Sequence, residues 1–135
     1  MLTAQMLGIA RAAAEAEMTS TCTITRAGTG QGTWNEATGT YDDPPRVTIY
    51  SGICKVQDSG RSTTDAEAGE VLVAVSSLEL HLPVTGASGA VRRDDVAHMD
   101  SNPNDPALVG WEFIVRAPHA GTAKTARRLP IEAVR

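Results

Sequence analysis

Aromatic residues are nearly missing from this 135-residue chain: Trp34, Tyr41, Tyr50, Trp111 and Phe113 are the full set. A core with so few of them must rely on Val, Ile, Leu and Ala, which favours a small strand-rich body over a large ligand pocket. Cysteine is scarce too. Cys22 and Cys54 show no CxxC spacing and follow no signal peptide, so two buried small hydrophobes outweigh a disulfide or a ligand pair. Long apolar runs are also absent. None approaches the ~20 residues needed to cross a bilayer, so a soluble protein without membrane contact is expected. The length suits one domain over 1–135, since ~150 residues bury about 70% of their unfolded surface.

Charge is unevenly placed. Residues 111–135 hold five Lys/Arg against two Asp/Glu, whereas residues 1–110 hold seven against fourteen, for a net charge of −4. An acidic body with a basic end suits self-association or a protein partner better than broad nucleic-acid binding, which calls for a basic domain.

Helical periodicity is confined to the start. Residues 1–17 contain "LTAQMLGIARAAAEAE", with Leu2, Met6, Ile9 and Ala13 on one narrow stripe. Such a helix packs on its own domain or, because the stripe is built mainly of small residues, on a neighbouring subunit. From Thr19 the period becomes two, and residues 19–134 read as strands and loops. "TSTCTITR" sets Cys22 and Ile24 on one face. Residues 27–46 are rich in Gly, Thr, Asp and Pro, and within them "TWNEATGTY" reads as a hairpin with Trp34 opposite Tyr41.

Two longer strands follow, and each changes parity. In "VTIYSGICKVQ", Val47 and Ile49 give way to Cys54 and Val56 around Ser51-Gly52. In "VLVAVSSLELHL", Val71, Val73 and Val75 give way to Leu78, Leu80 and Leu82 around Ser76-Ser77. A strand that keeps one buried face through a parity change needs a bulge or bend, and such bends curl small sheets into barrels. The expected fold is therefore mainly β, a small bent β-barrel with one N-terminal α-helix and long polar loops. Residues 58–70 have no bulky apolar side chain and should be mobile in the isolated protein, as a functional projection or as padding. Further strands are expected at Ala90–Arg92, Val96–Met99, Trp111–Arg116 and Ala126–Val134. In the last of these Leu129, Ile131 and Ala133 face one way, and Pro130 confines the strand to an edge or to a face without ladder bonds.

No catalytic signature emerges. A phosphate loop ending at Lys124-Thr125 would need glycines at 118 and 123, where Pro118 and Ala123 stand. His81, His98 and His119 fall on different elements; a metal site drawn from them with Asp94, Asp95 or Asp100 stays open, but scattered surface histidines are commoner. Neither thiol has a nucleophile's surroundings. The expectation is no enzyme, no cofactor and no metal.

The order of elements resembles the head-closure, or head-to-tail connector, proteins of tailed bacteriophages, particularly those of actinobacteria. The segments that carry the likeness are "YSGICKVQ", "LELHLPV" with the following "RRDDV", and "WEFIVRAP" with the later "KTARR". The resemblance implies a small barrel with a helix at its side, repeated as a homo-oligomeric ring in the virion neck and present in the host cytoplasm during assembly. Portal or adaptor would lie above, tail terminator or tail tube below, and double-stranded DNA would pass through the channel without sequence-specific binding. In some relatives a loop between the second and third barrel strands projects into the channel. The matching segment here offers Asp58, Arg61, Asp65, Glu67 and Glu70. Ring-contact candidates are Leu2, Met6, Ile9 and Ala13 on the helix, with Lys124, Arg127 and Arg128 on the terminal strand, whose expected partners are carboxylates of an adjoining subunit. A tail terminator or minor tail ring is the nearest alternative. A small barrel binding single-stranded nucleic acid through its basic terminal strand is the more distant one.

Overall fold

The computed structural model describes residues 3–58, 66–68, 71–73, 78–118 and 121–134. Helix α1 (Ala4–Ala16) is followed by β1 (Ser20–Arg26), β2 (Trp34–Asn35), β3 (Thr40–Tyr41), β4 (Val47–Asp58), β5 (Ala66–Ala68), β6 (Val71–Val73) and β7 (Leu78–Leu82). A short helix α2 (Gly86–Gly89), β8 (Val96–Ser101), a 3-10 turn (Pro106–Leu108), β9 (Glu112–Val115) and β10 (Arg127–Ala133) complete the order. Six strands close into an antiparallel barrel in the order β1-β4-β7-β10-β9-β8, with β8 pairing back onto β1. The fold is thus the small β-barrel with an N-terminal helix that the strand pattern indicates.

Alternation in the sequence becomes the wall of the barrel. Cys22 and Ile24 on β1, Ala97 and Met99 on β8, Phe113 and Val115 on β9, and Leu129 and Ile131 on β10 all point inward and are buried. Phe113 is the large ring at the centre, and the aliphatic side chains fill the space around it. Burial of this kind stabilises by about 25 cal/mol per Å² of apolar surface.

Closure depends on two irregularities, one on each neighbour of β1. Ile24 pairs with Tyr50 but Thr25 pairs with Thr48, so Ile49 bulges from β4. Thr21 pairs with Ser101 but Cys22 pairs with Met99, so Asp100 bulges from β8. Each bulge sharpens the local twist and bends its strand around the core. The parity change in β4 therefore falls at Ile49, not at Ser51-Gly52. Tyr50 points inward, its hydroxyl donating to the Ile53 carbonyl at 2.6 Å. A Cβ on Gly52 would stand only 3.0 Å from that hydroxyl, so the glycine leaves room for the ring.

Other expectations need correction. Of the stretch from Val71 to Leu82, β6 pairs with β5 in a two-stranded sheet of its own, while β7 belongs to the barrel. The Ser76-Ser77 switch lies outside the described residues. The 58–70 segment is not loop throughout, because Ala66–Ala68 pairs with Val71–Val73 and the apolar partners come from beyond the segment. Residues 90–92 are not a strand. Thr85 and Ser88 form a capping box that starts α2 instead, and Val91 drops into the core. Pro130 is not on an edge, since β10 lies between β7 and β9. Its carbonyl accepts from the Arg116 N–H at 2.8 Å just where the β9–β10 ladder stops, so the missing N–H deprives no interior partner.

The open end of β1 is tied by a buried charge. Asp95 is 1% exposed and lies just before β8; both its oxygens accept from the Arg26 guanidinium, at 2.8 and 2.9 Å. The Arg92 N–H donates to the same carboxylate at 2.8 Å, and Arg26 also donates to the Ala90 carbonyl at 2.9 Å. Burial, the largest influence, pushes this carboxyl's pKa up, but the Arg26 fork and the Arg92 amide together hold it below the usual value.

Asp95→Asn should cost about 2–3 kcal/mol through its lost charged hydrogen bonds. Because the folded pKa is depressed, the stabilisation is complete above the ordinary aspartate value of about 3.9 and is lost as pH falls through the folded one. In urea melts from pH 7 to 3 the gap between wild type and variant should stay constant near neutrality and begin to narrow below about pH 4; a constant gap would refute this origin. A second expectation concerns the thiols. The hydrogen bond between Cys22 and Cys54, with burial, pushes the Cys22 thiol far up. Both are buried and unbridged, so iodoacetamide labelling should track global unfolding. Rapid labelling in native buffer would mean that the β1–β4 seam opens on its own.

Candidate interaction surface

The helix is fastened to the barrel by polar ties and one turn of its surface. Thr3 caps its start by accepting from the Met6 N–H at 3.2 Å, so it begins at Ala4 instead of residue 2. Leu7, Ala10 and Ala14, at helical spacing, are half-buried or nearly so. Arg11 Nε donates to the Lys124 carbonyl at 2.9 Å, and Glu17 pairs with Lys55 at 3.0 Å. Met18, just beyond the helix, is buried. These ties lay α1 along the barrel between the approach to β10 and the middle of β4.

The predicted stripe adjoins this partly covered one and stays exposed. Met6 is 52% and Ile9 66% exposed, and Ala13 is exposed as well. Leu2 lies outside the described residues. The apolar side of the helix is therefore wider than the part its own barrel covers.

The terminal cations do not act alike. Arg127 turns inward along the chain: its Nε donates to Ser88 Oγ at 2.9 Å and an Nη donates to the Thr85 carbonyl at 3.4 Å. A Cβ on Gly89 would stand 3.0 Å from the Arg127 guanidinium, so the glycine admits it. The expectation that Arg127 points to a neighbour is thus overturned, because the buried Ser88 hydroxyl of α2 takes its fork. Lys124 and Arg128 are exposed. Arg128 stands opposite His81 in the β7–β10 register, and Lys55 stands opposite His81 from β4. Burial lowers the His81 pKa, and the contact of its Nε2 with Glu79 at 3.1 Å pulls it partly back.

Of the channel-loop candidates, Asp58 ends β4 and is exposed, and Glu67 sits on β5 opposite Leu72. Arg61, Asp65 and Glu70 lie outside the described residues, as does His119. His98 Nδ1 lies 3.0 Å from the bulged Asp100, which also accepts from Thr23 Oγ1 at 2.6 Å. Asp95 is occupied by Arg26. Among the described residues no three His, Cys, Asp or Glu side chains gather as a metal site would require.

The sequence pattern under-reads one feature. Strands β2 and β3 pair Trp34 with Tyr41 as expected, and the rings meet edge to face at 5.0 Å. Their exposure was not legible: Trp34 is 51% and Tyr41 48% accessible, in a hairpin that stands off the barrel. Its base is tightly built. Any Cβ on Gly28 would strike the Pro45 carbonyl, and one on Gly32, at φ +63°, would strike that of Asp42. Gly39 (φ +68°) closes the tip, where its N–H donates to the Asn35 carbonyl at 3.0 Å.

A family model matches residues 10–132, the second half of α1 and all of the barrel but its last residue. The chain belongs to the DUF6093 family. That family is described as one of unknown function. No curated protein matches the chain. Met6 and Ile9 precede the matched span, whereas Ala13, the aromatic hairpin and all three terminal cations lie within it.

Intrachain and outward cations should separate in a stability test. Arg127→Gln should lower stability by about 1–2 kcal/mol through its lost hydrogen bonds to α2, while Lys124→Gln should leave the melting temperature unchanged. Equal effects in thermal melts would contradict this division.

Proposed function

We propose that this protein is a structural ring subunit of the neck of a tailed bacteriophage, closing the head and connecting it to the tail around the DNA channel, without enzymatic activity. The observation that carries the reading is the side helix. Arg11 and Glu17 tie it to the barrel, Leu7, Ala10 and Ala14 are partly covered, and the adjoining stripe of Met6, Ile9 and Ala13 stays exposed. An apolar stripe left uncovered beside a packed one suits a second partner.

Two further features support it. The order of helix, barrel strands and polar projections resembles that of head-closure proteins along nearly the whole chain. The acidic body suits a channel through which DNA slides, because like charge keeps phosphates from sticking. Exposed Lys124, whose carbonyl receives Arg11 of the helix, suits a carboxylate of the next subunit or ring. A portal or adaptor above and a tail terminator or tube below are the neighbours this position requires. A tail-terminator or minor tail ring would use the same surfaces and differ in its neighbours.

Negative-stain microscopy of the concentrated protein, alone and with the portal-adaptor complex of its own phage, should show rings or ring-capped complexes. A protein that stays monomeric and leaves that complex uncapped would overturn the reading. Titration with labelled oligonucleotide at two salt concentrations should give only weak binding. Micromolar, steeply salt-dependent binding, lost when Lys124, Arg127 and Arg128 are neutralised, would favour the nucleic-acid alternative instead.

A further inference from the structure

We infer that copies of this chain meet end to end, the basic end of one barrel lying on the acidic end of the next. The inference rests on the ring reading and names the two surfaces through which one subunit follows another.

Charge in this barrel is sorted by strand direction. Every neighbouring pair is antiparallel, so β1, β7 and β9 finish at the end where β4, β8 and β10 begin. The connections joined there, with the strand termini that carry charge, span residues 26–46, 83–95 and 116–128. These hold eight Lys/Arg against five Asp/Glu, whereas the rest of the chain holds four against eleven. Of the five acids, Asp95 is held by Arg26, and Glu36, Asp42 and Asp43 belong to the hairpin connection. The rim itself is therefore basic. Arg46, Arg92, Arg93 and Lys124 are all exposed on it, and Arg46 donates only to the neutral Thr25, at 2.9 Å to its hydroxyl and 3.3 Å to its carbonyl.

The other end carries the opposite sign. Asp105, in the turn after β8, and Glu17, at the entry to β1, are exposed and are brought near each other where Asn104 Nδ2 donates to Thr19 Oγ1 at 2.9 Å. Asp58 ends β4, and Glu79 and Glu112 stand at the starts of β7 and β9. Lys55, the nearby cation, is already paired with Glu17. Among these acids lie Val109, Trp111 and Val134, each exposed by 40% or more, and the Val134 N–H donates to the Glu112 carbonyl at 2.9 Å. An apolar centre within a polar rim is the usual build of a protein contact, and a tryptophan there contributes strongly. At the basic end Val47, 53% exposed, stands next to Arg46.

A second copy is the occupant that this arrangement selects, because each end supplies the charge the other lacks. Nucleic acid is the poorer match. Asp94 and the hairpin carboxylates interrupt the basic rim, and no run of Lys/Arg tracks a phosphate backbone. The two ends are different surfaces, so the contact is head-to-tail and propagates; it closes into a ring if each step turns through a suitable angle.

The test uses the full chain under conditions where the wild type forms rings, alone or on its partner ring. Arg93→Glu with Lys124→Glu reverses the basic rim, and Glu17→Lys with Asp105→Lys, in a separate chain, reverses the acidic one. Each variant alone should assemble about tenfold or more weakly in sedimentation velocity, because like charges then face each other. Mixed in equal amounts, the two should recover assembly, since each offers the end that the other needs. Both should keep the wild-type circular dichroism spectrum, and recovery on mixing separates lost contact from lost folding. Raising NaCl from about 0.05 to 0.5 M should weaken wild-type assembly as screening shortens the reach of the charges. A photo-crosslinker at position 93, in a mixture of isotope-labelled and unlabelled copies, should attach to residues 102–112 of the other copy. Rings that tolerate both reversals, a mixture that assembles no better than its components, or crosslinks that fall elsewhere would overturn the end-to-end contact while leaving the ring reading intact. So would a basic-rim reversal that abolishes oligonucleotide binding and leaves assembly unchanged. Failure of the wild type to form rings under any of these conditions would overturn both.

Discussion

The rest of the molecule depends on one buried ion pair. Arg26 ends β1, Asp95 immediately precedes β8, and the fork between them joins the ends of two strands that are remote in sequence but adjacent in the closing seam. A carboxylate this deeply buried is tolerable only when fully bonded. Arg26 satisfies both oxygens, the Arg92 amide adds a third bond, and the same guanidinium holds the Ala90 carbonyl. The tight turn at Arg93-Asp94, with Asp94 at φ 72°, follows from this arrangement, as does the entry of Val91 into the core. Through Ala90 the tie extends to α2, and through Ser88 and Arg127 from α2 to the start of β10. A chain of polar contacts thus secures the end of the barrel from which the aromatic hairpin departs.

This division of labour explains how so little aromatic content suffices. One phenylalanine, one tyrosine and short aliphatic side chains fill the barrel. The two bulges let the wall bend closely enough that these small side chains meet. Both tryptophans stay substantially exposed. The residues with the greatest capacity for contact are therefore distributed over the surface, and the core is left to volume-efficient packing.

Strand existence and the buried face were legible in the residues because alternation is a local signal. Cys22, Ile24, Phe113, Val115, Leu129 and Ile131 sit where their parity places them, and the parity change in β4 correctly marks a bend. The position of that bend was not legible, because Tyr50 turns inward only where Gly52 makes room for it. Likewise, apolar alternation from Val71 to Leu82 cannot reveal that β6 pairs with β5 and β7 with β4, since both pairings use the same pattern. The surface was legible in part: the helix stripe was correctly picked out as apolar, and Met6, Ile9 and Ala13 do face outward. Arg127 misled because a cation's partner is a tertiary fact; nothing near it in sequence announces Ser88. The exposure of Trp34 and Tyr41 was hidden for the same reason.

Closure of the barrel has one more consequence. Each of its six strands pairs with two neighbours, so the wall contains no edge strand. The two small hairpins, β2–β3 and β5–β6, pair only with themselves among the described strands. Such a barrel has no edge strand to lend a neighbour. Were copies to associate as proposed, contact would run through side chains, whose strength can be graded residue by residue, and a copy could join and leave without coming undone.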